Sequence, residues 1–265
     1  MRALPTNSGL MSNVPALISE DGFLGGRLRL RQPGRGHRAG HDAVLLAAAT
    51  PAEPGECVVD LGAGVGAAGL AVATRVVGID LILVERDQAL VDLARSNLAA
   101  NRLQGRAIAL DVTASAANFA SAGILPDSAN RVLMNPPFND PSRHQSSPES
   151  ARRSAHEEGV DTLANWMQTV RRLLKPAGTV SLIWRADDIG KVLAALQAGF
   201  GDLSVLPVHP RPDVPAIRIL VRATKGSRAP ASLLPGIFLN SATGGVPDAV
   251  QAVLDGAGVL PLAVA

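Results

Sequence analysis

The most distinctive chemistry in this chain lies in four residues, Asn135, Pro136, Pro137 and Phe138, which follow an apolar run at residues 132–134. Such a run predicts a buried strand, and open α/β sheets hold their ligands where strands end. Proline lacks an N–H donor, so a backbone carbonyl here can accept a hydrogen bond from a ligand. The Asn135 side-chain oxygen is a second acceptor, and Phe138 adds a flat apolar face. Two acceptors beside a stacking surface suit a planar ring with an exocyclic NH2 group. The alternative is an ordinary proline-rich loop.

A glycine-rich turn stands earlier in the chain, where residues 58–61 predict a strand and residues 68–75 a helix. The turn reads Asp60-Leu61-Gly62-Ala63-Gly64-Val65-Gly66. Glycines allow a tight turn and close approach of a ligand to the backbone, with amides at the helix N-terminus pointing outward. Alone this signal is weak. The spacing of Gly62, Gly64 and Ala67 also satisfies the relaxed dinucleotide fingerprint, so a nicotinamide oxidoreductase stays open as an alternative.

Three acids stand at or near the ends of the first three strands predicted from residue 58 onward, and they favour a ligand other than a dinucleotide. Asp60 precedes the first glycine by two residues, where its carboxylate can face a ligand's ammonium. Glu85 ends the second strand, where it can accept from both hydroxyls of a ribose. Asp111 follows the third strand and can reach an adenine amino group. A cationic nucleoside that carries an amino acid, such as S-adenosylmethionine, matches these acceptors better than a dinucleotide pyrophosphate does.

Strands alternate with helices along most of the chain, which predicts an α/β fold. The expected architecture is a doubly wound, seven-stranded, mostly parallel sheet with an antiparallel C-terminal strand. The predicted strands are residues 58–61, 79–84, 108–110, 131–134, 179–184, 203–208 and 217–221. Residues 1–22 are expected to form an N-terminal arm, and residues 23–225 the main domain with an N-terminal strand and helix as a cover. Residues 226–265 are expected to form a tail with one short helix near residues 247–254.

Together these motifs resemble the class I S-adenosylmethionine-dependent methyltransferases, a Rossmann-like fold. The resemblance implies that Asp60, Gly62, Ala63, Gly64, Gly66, Glu85, Asp111 and Asn135 bind the cofactor, whose product is S-adenosylhomocysteine. It also implies catalytic roles for Asn135, Pro136 and Phe138. Residues 36–46 are similar to the segment ahead of the cofactor loop in the bacterial tRNA1(Val) (adenine-N6)-methyltransferases, which differ in having a small hydroxyl residue where His41 stands. A target base would be flipped or presented from an open loop.

Composition bears on the partner of the protein and on its location in the cell. The chain has 265 residues, a formal net charge of +2 and a pI of about 9.2, with arginine as the dominant cation. Arginine binds phosphate and stacks on bases, so the excess of arginine over lysine is compatible with RNA as a partner. Codon bias explains the same excess equally well. The candidate RNA-binding surface comprises Arg27, Arg29, Arg31, Arg35, Arg38, Arg152, Arg153, Arg211 and Lys225.

The single cysteine, Cys57, allows no intrachain disulfide. No apolar run or leader predicts membrane insertion or export, so a cytoplasmic protein is expected.

Several alternatives stay open. His37 and His41 stand four residues apart, but Gly40 disfavours a helix there and no third ligand is evident, so no metal is predicted. A small-molecule O-methyltransferase would usually need a base or a metal near the acceptor oxygen. Ribosomal RNA guanine and protein glutamine are further NH2-bearing acceptors that suit the same corner. A binding module without catalysis also stays open, and so does an oligomer.

Overall fold

One main sheet organises the part of the chain that the computed structural model describes, which comprises residues 18–34, 38–136 and 163–264. The described strands are β1 (Ile18–Phe23), β2 (Leu28–Pro33), β3 (Cys57–Leu61), β4 (Asp80–Glu85), β5 (Arg106–Ala109), β6 (Ala129–Met134), β7 (Leu174–Arg185), β8 (Phe200–His209), β9 (Arg218–Lys225), β10 (Ser232–Leu233) and β11 (Ile237–Phe238). The α-helices are α1 (His41–Ala49), α2 (Ala67–Arg75), α3 (Gln88–Ala100), α4 (Ala116–Ser121), α5 (163–173), α6 (Ile189–Leu196) and α7 (Asp248–Leu254).

The strand order of the main sheet is β10-β8-β9-β7-β6-β3-β4-β5, and β11 also pairs with β8. Strands β3 to β7 pair in parallel, whereas β9 runs antiparallel to both of its neighbours, β7 and β8. The predicted fold class is therefore confirmed, and the seven predicted strands correspond to β3 to β9. Two further strands of two residues each, β10 and β11, extend the sheet from residues 226–264.

Helices cover both faces of this sheet, which explains why its central strands are apolar on both sides. Helices α1, α2 and α3 pack on one face around Leu70 and Leu83. Residues of α4, α5 and α6 pack on the other face around Met134 and Trp166. No helix in the described part of the chain is long and apolar enough to cross a bilayer.

The start of β7 differs from the prediction. The sequence predicts a helix as far as residue 174 and then a turn, but β7 already begins at Leu174. Its pairing with β6 shifts register between Ala129 and Arg131, so the turn residues are absorbed into the strand as an irregularity. Ala177 adopts a positive φ of 62° at this point. The third strand also lies slightly earlier than predicted, at Arg106–Ala109.

Strand β3 is the point at which the connection order of the sheet reverses. Its last residue, Leu61, pairs with Val84 of β4 on one side and with Met134 of β6 on the other. The carboxyl ends of three neighbouring strands thus lie level at one edge of the sheet. In open α/β sheets this switch point is where ligands bind.

The β1–β2 hairpin forms a separate two-stranded sheet against α3. Its Leu28 and Leu30 are fully buried in the core that α1, α2 and α3 share. At the other end of the chain, α7 packs on α1, and the Leu260 amide donates to the Ala48 carbonyl at 2.8 Å. Residues 226–264 therefore pack closely against the main domain.

Candidate active site

The glycine loop, residues 62–66, is fixed to the neighbouring strand by its backbone. The amides of Gly62 and Ala63 both donate to the Val84 carbonyl at 2.9 Å. Gly62, Gly64 and Gly66 have φ values of 69°, 57° and 90°, in the left-handed region that favours glycine. Gly66 then caps the N-terminus of α2. This local geometry explains why glycine recurs at every second position.

Two of these glycines face very different surroundings. A Cβ atom on Gly62 would lie only 2.4 Å from the Trp166 ring, so this position has room for hydrogen alone. A Cβ atom on Gly64 would have no atom within 4 Å. One side of the loop is thus packed against α5, and the other side is open to a ligand.

Asp60 lies behind the glycine loop rather than at its surface. It is 2% exposed, and its Oδ2 accepts from the Gly69 amide of α2 at 2.8 Å. Burial raises the pKa of the Asp60 carboxyl to about 7; the Gly69 hydrogen bond opposes this rise and the nearby Glu85 charge adds to it. The carboxylate can therefore act on the loop through its charge and through α2.

Glu85, at the end of β4, is half-buried beside the loop. Its Oε2 accepts from the Gly64 amide at 2.9 Å, and its Oε1 accepts from the Asp87 amide at 2.9 Å. Each carboxylate oxygen has a second lone pair. The residue is held in a defined orientation and can still accept from two hydroxyl groups.

Asp111 lies just beyond β5 and is exposed. The amide of the preceding residue, Leu110, donates to the Glu85 carbonyl at 2.9 Å. Asp111 and Glu85 therefore lie at the ends of two adjacent strands. The Asp111 Oδ1 accepts from the amide and the hydroxyl of Thr113. These bonds, followed by the nearby Arg86 charge, lower the pKa of the Asp111 carboxyl, although slight burial opposes them.

The acceptor corner, defined here as Asn135 and Pro136, follows β6 directly. Asn135 is half-buried and Pro136 is buried. Because Met134 pairs with Leu61, Asn135 stands next to the start of the glycine loop. Pro137 and Phe138 fall outside the described residues, as do the arginines at positions 35, 152 and 153.

The ends of β5, β4, β3 and β6 thus bring Asp111, Glu85, the glycine loop and Asn135 together along one edge. Strands in a sheet stand about 4.8 Å apart, so this row spans roughly 14 Å. That length suits an extended nucleoside that carries an amino acid. Among the described residues, no group of three His, Cys, Asp or Glu side chains could hold a metal ion.

Two residues at this edge were not identified from the sequence. Trp166 supports Gly62 from α5, and the only hint was that the chain has just two tryptophans. Asn97 is fully buried in α3, and its Nδ2 donates to the Val65 carbonyl of the glycine loop at 3.0 Å. A polar residue three positions after Ala94, on the apolar face of the helix, was the available signal.

The fold and the residues at this edge define a class I methyltransferase. The open side of Gly64 and the acceptor Glu85 fit S-adenosylmethionine, which is the methyl donor of this class. The chain belongs to the methyltransferase small domain family, whose model matches residues 39–208. The protein is therefore an S-adenosylmethionine-dependent methyltransferase.

Solved structures of other proteins have the same fold. The chain is 29% identical to a protein from Agrobacterium tumefaciens described as a "predicted O-methyltransferase", with a TM-score of 0.70 over 83% of this chain and 98% of that one. It has the same fold as a SAM-dependent O-methyltransferase from Thermotoga maritima (19% identity, TM-score 0.50, 73% and 68% coverage). The fold also recurs in P. horikoshii TYW2 in complex with MeSAdo (16% identity, TM-score 0.50, 76% and 69% coverage). A comparison with curated proteins found no match.

Proposed function

We propose that this methyltransferase acts on an exocyclic amine, namely N6 of an adenine in tRNA. The observation that carries the proposal is the position of Asn135, which follows β6 immediately and stands beside the start of the glycine loop. An amine held there would lie next to the site that fits the methyl donor. The proposal includes the cytoplasmic location expected from the sequence.

The cofactor roles expected from the sequence for the glycine loop, Glu85 and Asp111 are part of this proposal, whereas the main role proposed for Asn135 is toward the acceptor amine. The glycine loop would hold the amino-acid portion of S-adenosylmethionine, Glu85 the ribose hydroxyls and Asp111 the adenine amino group. The accessible faces of Gly64 and Glu85 support these roles. Because Asp60 is buried, we assign it an electrostatic role toward the cofactor's ammonium group, exerted through the loop rather than by direct contact.

The acceptor corner supplies what an aromatic amine needs in order to react. The lone pair of an exocyclic amine is conjugated with the ring, which makes the amine a weak nucleophile. The Asn135 side-chain oxygen and the Pro136 carbonyl would accept its two hydrogens, weaken the conjugation of the lone pair with the ring and direct that lone pair toward the sulfonium methyl group. Phe138 would stack on the base, an interaction worth ~1–3 kcal/mol. Bound S-adenosylmethionine supplies an electrophilic methyl group, so positioning provides much of the rate enhancement.

The test is methyl transfer from radiolabelled S-adenosylmethionine to separate pools of tRNA, ribosomal RNA, protein and small metabolites. We expect label in the tRNA pool. Label confined to ribosomal RNA or protein would point to guanine or glutamine as the amine instead. A shift of the melting temperature by S-adenosylmethionine, with none by NAD, provides a cofactor control that is independent of the acceptor.

The second candidate is a small-molecule O-methyltransferase. It is favoured by the similarity to the Agrobacterium tumefaciens protein, which extends over 98% of that chain. The two candidates differ in their need for Asn135, because an acceptor hydroxyl has only one hydrogen to hold. Label in the metabolite pool that survives the replacement Asn135→Ala would favour this second function.

A further inference from the structure

Strand β2 of the N-terminal hairpin has two chemically different faces. Leu28 and Leu30 are fully buried, whereas Arg29 and Arg31 are exposed between and after them. Arg27, just before the strand, continues the exposed series. These three residues, Arg27, Arg29 and Arg31, are called the arginine face below. Alternate residues of a strand stand about 7 Å apart, a step comparable to one nucleotide of an extended single strand.

The arginine face carries more positive charge than its acidic neighbour can balance. The Arg29 side chain is 74% exposed, and its guanidinium lies 3.9 Å from Glu20. The same Glu20 forms a closer ion pair with Arg31, at 2.9 Å. Arg27 donates to the Gly256 carbonyl at 3.2 Å. A carbonyl carries no net charge, so this contact does not neutralise the Arg27 guanidinium. Among the described residues, Glu20 is the one carboxylate that forms an ion pair with this face, and it contacts two of its three guanidinium groups.

A buried amide places this face beside the cofactor loop. The Asn97 Nδ2 lies 3.0 Å from the Arg31 carbonyl and 3.0 Å from the Val65 carbonyl, and it donates to both. The Asn97 Oδ1 accepts from the Arg31 amide at 2.8 Å. The strand that carries the arginines is therefore hydrogen-bonded, through one side chain, to the loop next to which the proposed target base must lie.

From this geometry we infer that the arginine face binds backbone phosphates of the RNA that carries the target base. This inference rests on the proposed function, because it takes RNA as the methyl acceptor. Exposed guanidinium groups bind phosphate bidentately, and each contact releases counterions. The face lies outside the methyl-transfer site itself, so it sets the affinity for RNA and leaves the chemistry to the acceptor corner.

The experiment compares two double variants with the same change in charge. Arg27→Glu/Arg29→Glu alters the arginine face and leaves Arg31, which also bonds to Ser96, in place. The control, Arg106→Glu/Arg228→Glu, alters two exposed arginines at the end of the sheet where the parallel strands begin, away from the glycine loop. Arg106 is the first residue of β5, and Arg228 lies three residues after the antiparallel strand β9. The control is matched in bonding too, because Arg106 donates to one backbone carbonyl, that of Gly123, as Arg27 does to Gly256.

Binding of total tRNA is measured by fluorescence anisotropy at several salt concentrations. We expect the arginine-face variant to bind on the order of tenfold more weakly and to lose about 1.4 from the slope of log affinity against log salt, as for two lost phosphate contacts on a single strand. The control should stay within about twofold of wild type. Both should bind S-adenosylmethionine as wild type does, which verifies that the cofactor loop is intact.

Other results would distinguish an error in the assignment of the arginine face from an error in the proposed function. If wild type methylates tRNA but both double variants bind it equally well or equally poorly, the assignment of this face is wrong and the proposed function stands. If wild type neither binds nor methylates RNA, the proposed function fails and takes this inference with it. If the arginine-face variant instead loses a protein acceptor, the face binds protein, and the assignment of RNA is overturned.

Discussion

Replacing Asn97 by alanine should weaken both the fold and cofactor binding. The Asn97 side chain is fully buried and forms three hydrogen bonds with backbone groups, two of them to Arg31 and one to Val65. Each bond contributes about 1 kcal/mol net, and an unpaired buried group costs at least as much. We therefore expect the free energy of unfolding to fall by about 3 kcal/mol. For a chain of this size the melting temperature should drop by roughly 6–12 °C.

Asn101 provides a matched control one helical turn later. It also forms three hydrogen bonds, to the Arg29 amide, the Arg29 carbonyl and the Asn97 carbonyl. Its bonds to Arg29 are exposed, so water can replace them and Asn101→Ala should cost about 1 kcal/mol. None of these bonds reaches the glycine loop. Only Asn97→Ala should also weaken S-adenosylmethionine binding, by about tenfold for one lost support of the loop (about 1.4 kcal/mol).

Denaturant unfolding gives the stabilities, and isothermal titration calorimetry at a temperature where both variants are folded gives the affinities. If the two alanine variants lost equal stability and bound the cofactor equally well, the Asn97 hydrogen bonds would have no special role in the fold or in the glycine loop. A loss of affinity in Asn101→Ala as large as that in Asn97→Ala would show that the hairpin, not the link to Val65, supports the loop.

Three further predictions concern the site itself. Because the pKa of Asp60 is raised from 3.8 to about 7 in the fold, its contribution to stability is most favourable at low pH and is lost as pH rises between these values. Denaturant unfolding should therefore show wild type losing about 2–3 kcal/mol more than Asp60→Asn between pH 5 and pH 8, and parallel pH profiles would contradict this. Gly64→Ala should cost about 1 kcal/mol for its φ of 57° but lower S-adenosylmethionine affinity more than tenfold, because the methyl group enters the open side of the loop; unchanged affinity in calorimetry would place the cofactor elsewhere. Asn135→Ala should keep cofactor affinity within about twofold yet slow methyl transfer at least a hundredfold in a single-turnover assay, and transfer at the wild-type rate would remove Asn135 from catalysis.

The sequence predicted the central sheet well because its strands carry strong local signals. Strands β3, β4 and β6 contain short apolar runs, each with a polar residue at or next to its end. Because both faces of these strands are buried, their apolar residues form almost continuous runs, and the positions of the strands can be predicted from those runs. The start of β7 was missed because Lys175-Pro176-Ala177-Gly178 has the composition of a turn. Pairing with β6 overrides that local preference.

The site could be predicted only where its residues are local in sequence. The glycine loop, the acid that ends β4 and the acid that follows β5 each lie next to a predicted strand in the sequence. Asn97 and Trp166 act on the loop from helices that are distant in the chain, and no spacing rule links them to it. The burial of Asp60 was also hidden, because it depends on how α2 packs over β3.

The identity of the modified nucleoside shows directly whether this enzyme methylates N6 of adenine in tRNA. Unmodified tRNA is incubated with the enzyme and S-adenosylmethionine carrying a deuterated methyl group, then digested to nucleosides and analysed by mass spectrometry. We expect deuterated N6-methyladenosine with wild type and none with Asn135→Ala. Label on a ribose oxygen or on a ring nitrogen, or label that persists in the variant, would contradict it.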